Sequence, residues 1–129
     1  MIAQACLVLL GGFLGGVARL LVGEIVGRRL GQGFPFGTVV VNISGAFLIG
    51  ALARLAGAAG GVLAGDLFRD FAIVGVCGGY TTVSSFALQT LHLALEGEPI
   101  RAGANVVVSS GLSLLATAAG FGLAAVLAG

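Results

Sequence analysis

The sequence predicts an all-α membrane protein of four transmembrane helices, the third broken near its middle. Three observations lead there. Of 129 residues, 58% are hydrophobic and 9% charged, against roughly 25% charged in a typical soluble domain. The few charges leave four long uncharged gaps, and an ionised side chain at the bilayer centre costs at least ~2.5 kcal/mol. In the middle of the third gap, glycines and hydroxyl residues stand where helix formers are expected.

The first gap runs from the N-terminus to Arg19. It predicts a span over about 2–22, close to the ~20 residues that cross ~30 Å of hydrocarbon. It has no basic segment ahead of it and outlasts the roughly 7 to 15 apolar residues of a secretory signal, so it is expected to stay attached. Gly11, Gly12, Gly15 and Gly16 form two overlaid small-xxx-small pairs, suited to close approach between helices in lipid. A dinucleotide-binding reading of these glycines fails, because neither the preceding strand nor the acidic residue of a βαβ unit is there.

The second gap lies between Arg29 and Arg54 and predicts a span over about 34–54, with Gly45, Ala46 and Gly50 offering another small surface. The uncharged stretch 55–65 is rich in Gly and Ala, too short to cross, and reads as a surface connection. The third gap, from Asp70 to Glu96, predicts a span over about 69–95; the fourth, after Arg101, predicts 102–127. The chain 1–129 reads as one domain.

Six arginines and five acidic residues nearly cancel, leaving no basic patch for nucleic acid. With no lysine, a phosphate-binding P-loop and a Schiff-base enzyme are excluded. Cys6 and Cys77 are too few for a disulfide framework or a thiolate metal site and read as small core residues. His92 has no nucleophile or carboxylate constellation around it in sequence, and with Gln89 and Thr90 it is expected at a helix end near water. Arg28, Arg29 and Arg101, with Arg19 near that end, stand against Arg54 and Arg69 on the other. Four against two is a weak bias, which leaves both insertion directions open and admits an antiparallel dimer.

Polarity retained at depth marks function in so apolar a chain, since an unsatisfied polar group in hydrocarbon costs several kcal/mol. Thr38 and Asn42 are four apart and share a face of the second span. Gly75-Val-Cys-Gly78-Gly79-Tyr-Thr81-Thr82-Val83-Ser84-Ser85-Phe86 holds three glycines in five positions followed by two threonines, and predicts unwinding that lipid tolerates only where it is buried, lines water or binds an ion. Asn105, Ser109, Ser113 and Thr117 recur every fourth residue and make one polar stripe. Neutral donors of this kind replace the water around a small anion without trapping it, and the ring edges of Phe86 and Tyr80 are in range to assist. These groups alone describe either a neutral-lined pore or a polar packing core.

Three motifs together resemble the fluoride channels of the Fluc (CrcB) family: Gly11-Gly12 through Gly16-x-x-Arg19, Pro35-Phe36-Gly37-Thr38-x-x-x-Asn42-x-x-Gly45-x-Phe47-x-x-Gly50, and Gly75-x-x-Gly78-Gly79-x-Thr81-Thr82-x-Ser84-x-Phe86. The resemblance implies a dual-topology antiparallel homodimer in a prokaryotic inner membrane, with two pores that let cytoplasmic F⁻ escape and a central structural Na⁺ that is not transported. Position by position, it places the Na⁺-holding carbonyls at Gly78 and Thr81, the pore asparagine at Asn42, and the polar track at Ser84, Ser109 and Ser113 with Thr38 nearby. It places the vestibule arginine at Arg19. Phe86 matches the second of two family phenylalanines, but Val83 stands at the first. Valine has no polarised ring edge, so slower fluoride passage is expected. Leu20 replaces a frequent Tyr, and Asn105 stands where relatives often carry Tyr at the mouth of the track, keeping a hydrogen-bond donor there.

Two other readings compete. A four-helix proton-coupled drug transporter needs a carboxylate within the membrane, whereas Glu24 lies past Arg19 at the end of the first span. A packing subunit without transport would make Asn42 and the serine stripe interhelical glue.

Overall fold

The structure, a computed structural model, describes residues 1–58 and 61–128. Charge placement sets where the helices run. The long α1 (Ile2–Leu30) continues past the apolar stretch because Glu24 and Arg28, four apart, pair on its surface. It stops at Gly31, whose φ of 93° suits glycine. After Pro35 the chain enters α2 (Phe36–Ala58), with the Phe34 and Phe36 rings packed 5.0 Å apart at the turn. Residues 55–58 prolong α2, and a 3₁₀ turn, Gly61–Ala64, follows. The connection expected over 55–65 is therefore helical over 55–58 and 61–64, as Leu and Ala favour, and extended at Gly65; residues 59 and 60 of it lie outside the described residues.

Next comes α3 (66–80), made of an opening turn Asp66–Phe68, a π-helical stretch Arg69–Cys77 and a closing turn Gly78–Tyr80. Thr81 and Thr82 then take extended backbone, with φ/ψ of −77°/156° and −150°/124°. The helix resumes as α4 (Val83–Leu95), capped by the Thr82 hydroxyl, which accepts from the Ser85 N–H at 3.2 Å. It ends at Gly97, φ 79°, where the Glu98 N–H reaches back to the Leu93 carbonyl at 2.9 Å, a Schellman closure. Pro99, whose missing N–H costs nothing at a first helical position, opens α5 (Pro99–Ala128). Among the described residues, four stretches are long and apolar enough to cross a membrane: Ile2–Leu30, Phe36–Ala58, Asp66–Leu95 and Pro99–Ala128.

Sequence predicts unwinding over the glycines and the two threonines together, and the structure confines extended backbone to the threonines. Gly75, Gly78 and Gly79 all lie in helical backbone, and the threonines after them are extended. Gly75 and Gly79 instead let α3 press against α1. A Cβ on Gly15 would run into the Val76 carbonyl, and one on Gly75 would stand 3.0 Å from the Gly11 Cα. On the other side of the bundle α2 lies along α5 through Gly50 against the Thr117 carbonyl and Gly120 against that of Phe47. Helices in lipid have no hydrophobic force between them and associate by such close packing. Little is fully buried: Val39, Val41, Cys77, Leu93, Ala102 and Ala124 among apolar residues, Thr82, Asn105 and Ser109 among polar ones. Leu9, Phe13, Leu88, Leu114 and many like them point outward, as a lipid-facing surface requires.

Candidate functional site

The site grows from Thr82. The N–H of an extended N-cap residue has no helical partner, its C=O stands at the open end of the helix it starts, and lipid offers neither a partner. Both are met by one side chain of α2: Asn42 Oδ1 accepts the Thr82 N–H at 2.8 Å, and Asn42 Nδ2 donates to the Thr82 carbonyl at 2.8 Å. In a continuous helix the Thr82 N–H would close on the Gly78 carbonyl, so the bond to Asn42 leaves that carbonyl free. The Thr81 hydroxyl and N–H both turn back to the Cys77 carbonyl, each at 3.0 Å. The Thr82 hydroxyl donates to Ser85 Oγ at 3.2 Å and accepts from Ser84 Oγ at 3.1 Å.

Two cavities meet at this segment. The first is a groove of ≈ 620 Å³ between α2, α4 and α5, bounded by Asn42, Gly78, Thr81, Thr82, Val83, Phe86, Ser109, Ser110, Ser113 and Thr117. No residue lining it carries a charge, so its polarity comes from amides, hydroxyls and backbone. The second, ≈ 830 Å³, lies toward the 31–35 loop and contains Arg19, Glu24, Arg28, Thr38, Thr82, Ser85 and Gln89. Thr82 lines both, and at 8% exposure it is the wall between them.

The structure thus gathers Asn42, Gly78, Thr81, Val83, Phe86, Ser109 and Ser113 at the groove, and Arg19 with Thr38 in the charged cavity. Ser84 goes elsewhere: it is exposed on the outer face of α4, its hydroxyl on Thr82. Asn105 is 1% exposed and sits behind the groove wall, donating from Nδ2 to Thr90 Oγ1 at 2.8 Å and accepting from Ser109 Oγ at 3.3 Å. Tyr80 turns its hydroxyl to Ser44 Oγ at 2.9 Å and its ring onto Gly45, away from the groove. His92 is exposed at the end of α4, as its sequence context suggests, but Thr90 is part-buried and bonded rather than in water. Sequence reading put Thr90 near water and not at the site, and overlooked Ser110. Thr82, Phe86 and Thr90, spaced by four, were the available signal for the first.

Residues 6–121 match the family described as CrcB-like protein, Camphor Resistance (CrcB). The chain belongs to the CrcB family. It is 51% identical over 121 residues to "Fluoride-specific ion channel FluC 4" of Brucella abortus biovar 1, covering 94% of this chain and 91% of the relative. To "Fluoride-specific ion channel FluC" of Methylocella silvestris it is 49% identical over 109 residues, 84% of this chain and 83% of the relative. To the protein of the same name from Rhodospirillum rubrum it is 52% identical over 99 residues, 77% of each. These relatives are named as channels and none as an enzyme. In this CrcB chain, His, Cys, Asp and Glu form no cluster of three able to hold a metal among the described residues. Gly78 and Thr81 both line the groove, and a backbone carbonyl without a helical partner, such as that of Gly78, is the kind of hard ligand that suits Na⁺.

Proposed function

We propose that this chain is a passive, fluoride-selective channel that lets cytoplasmic F⁻ escape across a prokaryotic inner membrane. The observation that carries the reading is the position of Thr82. A cavity holding Arg19 lies on one side of it and a neutral hydrogen-bonding groove on the other, where an anion attracted by charge meets donors that do not hold it. The names of the relatives supply the ion.

The unit is an antiparallel homodimer. The weak arginine bias allows both insertion directions, and the groove's open side gives a second copy a surface to close, so a two-fold pair has two pathways. Asn42, Ser113 and the edge of Phe86 contact the anion, with Val83 in place of a second ring. Gly78 and Thr81 carbonyls from both copies would hold a structural Na⁺, whose charge supplies rigidity at the interface and which stays in place during conduction. Fluoride crosses as the ion and no carboxylate takes a proton. Purified protein in liposomes, loaded in turn with F⁻ and Cl⁻, tests this. Rapid fluoride efflux with chloride retained is the expected result, and rapid chloride loss overturns it.

A further inference from the structure

A chain of side-chain hydrogen bonds behind the groove has a fixed direction. It starts at the Phe86 backbone carbonyl, which can only accept. The single proton of Thr90 Oγ1 is donated to it at 2.7 Å. Thr90 Oγ1 therefore accepts from Asn105, which presents Nδ2 at 2.8 Å. This sets the orientation of the Asn105 amide, placing Oδ1 toward Ser109, and Ser109 Oγ donates its proton there at 3.3 Å. Asn105 and Ser109 are 1% and 4% exposed, so no bulk water competes for these bonds. Ser109 lines the groove yet its proton points out of it, and only lone pairs remain to face an anion. One turn on, Ser113 lines the same groove, and its hydroxyl has no side-chain or backbone partner among the described residues. Asn42 likewise has one N–H left after its bond to Thr82.

We infer that Thr90 is a positioning residue: through Asn105 it turns the Ser109 proton away from the groove and so assigns donation to the anion to Ser113 and Asn42. The inference rests on the channel reading and deepens it, because the order of donors and acceptors along the groove decides where a small anion sheds its water. Nothing in the helical spacing distinguishes Ser109 from Ser113; the distinction comes from α4.

Fluoride efflux from liposomes tests it. Ser113→Ala is expected to lose about tenfold more flux than Ser109→Ala, the worth of one hydrogen bond to a charged group. Equal losses, or the greater loss at Ser109, overturn the inference. Thr90→Val removes the acceptor for Asn105 Nδ2; the amide then turns to offer N–H to Ser109 and frees that proton for the groove. Added to Ser113→Ala, Thr90→Val is therefore expected to raise flux several-fold, whereas Thr90→Ser, which keeps the hydroxyl, leaves the Ser113→Ala rate where it was. A residue that only packs would lower flux in both backgrounds, and that result overturns the positioning role. The Ser109 and Ser113 comparison stands even if the double variant does not fold. Absence of fluoride efflux from the unaltered protein would instead defeat the channel reading, before any variant is compared.

Discussion

Asn42 grips the backbone of Thr82 from both sides, accepting from its N–H and donating to its carbonyl at 2.8 Å each. One α2 side chain thereby replaces the helical bond that the Thr82 N–H lacks, adds a bond at its carbonyl, and holds in place the wall between the charged cavity and the neutral groove.

Asn42→Ala should therefore cost stability as well as flux. It leaves the part-buried Thr82 N–H unpaired, at about 1–3 kcal/mol, and takes a donor from the Thr82 carbonyl. The expected outcome is a clearly lower melting temperature in detergent together with slowed fluoride efflux. Asn42→Asp keeps the acceptor for the Thr82 N–H but sets a carboxylate oxygen against the Thr82 carbonyl and brings a charge to the groove, so it should not recover the stability, and flux should fall further. An Asn42→Ala protein that melts with the parent would contradict the pairing.

Val83→Phe should speed fluoride. Val83 is 79% exposed and lines the groove three residues before Phe86, so a ring there has room without overpacking and adds a positive edge facing the path. A several-fold rise in efflux with chloride still excluded is expected; equal or slower flux removes the assigned role of the ring edge.

The first-helix glycines separate in the same kind of test. A Cβ on Gly15 would collide with the Val76 carbonyl, backbone that cannot step aside, whereas one on Gly16 meets nothing within 4 Å. Gly15→Ala should lose about 1–3 kcal/mol through overpacking. Gly16→Ala should be neutral or slightly stabilising by helix propensity. Thermal unfolding of the two proteins in one detergent measures the difference.

How much of this could be read in the sequence follows from what each feature depends on. The four spans were legible because charge is so costly in lipid that eleven charged side chains mark nearly every boundary. The close helix contacts were legible as small residues four apart, although spacing alone did not tell Gly15 from Gly16, which face different neighbours. The extended residues, Thr81 and Thr82, lie within the dozen that the sequence marks, but nothing in the sequence separates them from the glycines beside them. Glycine weakens a helix in water, yet Gly75 and Gly79 lie against α1, where packing outweighs propensity. The threonines leave the helix where Asn42, forty residues earlier, supplies the bonds that allow it. Ser84 and Asn105 were grouped with the groove by spacing and motif; their actual directions are set by Thr82 and Thr90, contacts between positions that no periodicity links.

Arg19 offers the last test, through salt. It is part-buried and shares the larger cavity with Glu24 and Arg28, which pair with each other. The cavity is therefore left with the charge of Arg19, facing Thr38 and Thr82. A single fixed cation in a low-dielectric recess raises the local concentration of anions without binding one in the path. Arg19→Ala should slow fluoride efflux several-fold at low ionic strength. The gap should narrow in about 1 M of an impermeant salt, where the screening length falls from about 10 Å at 0.1 M to about 3 Å. Arg19→Lys, which keeps the charge and loses the planar fork, should stay near the parent rate. A deficit in Arg19→Ala that is the same at both salt concentrations, or shared by Arg19→Lys, would mean that the guanidinium acts by hydrogen bonding or packing and not as an attractor at the mouth.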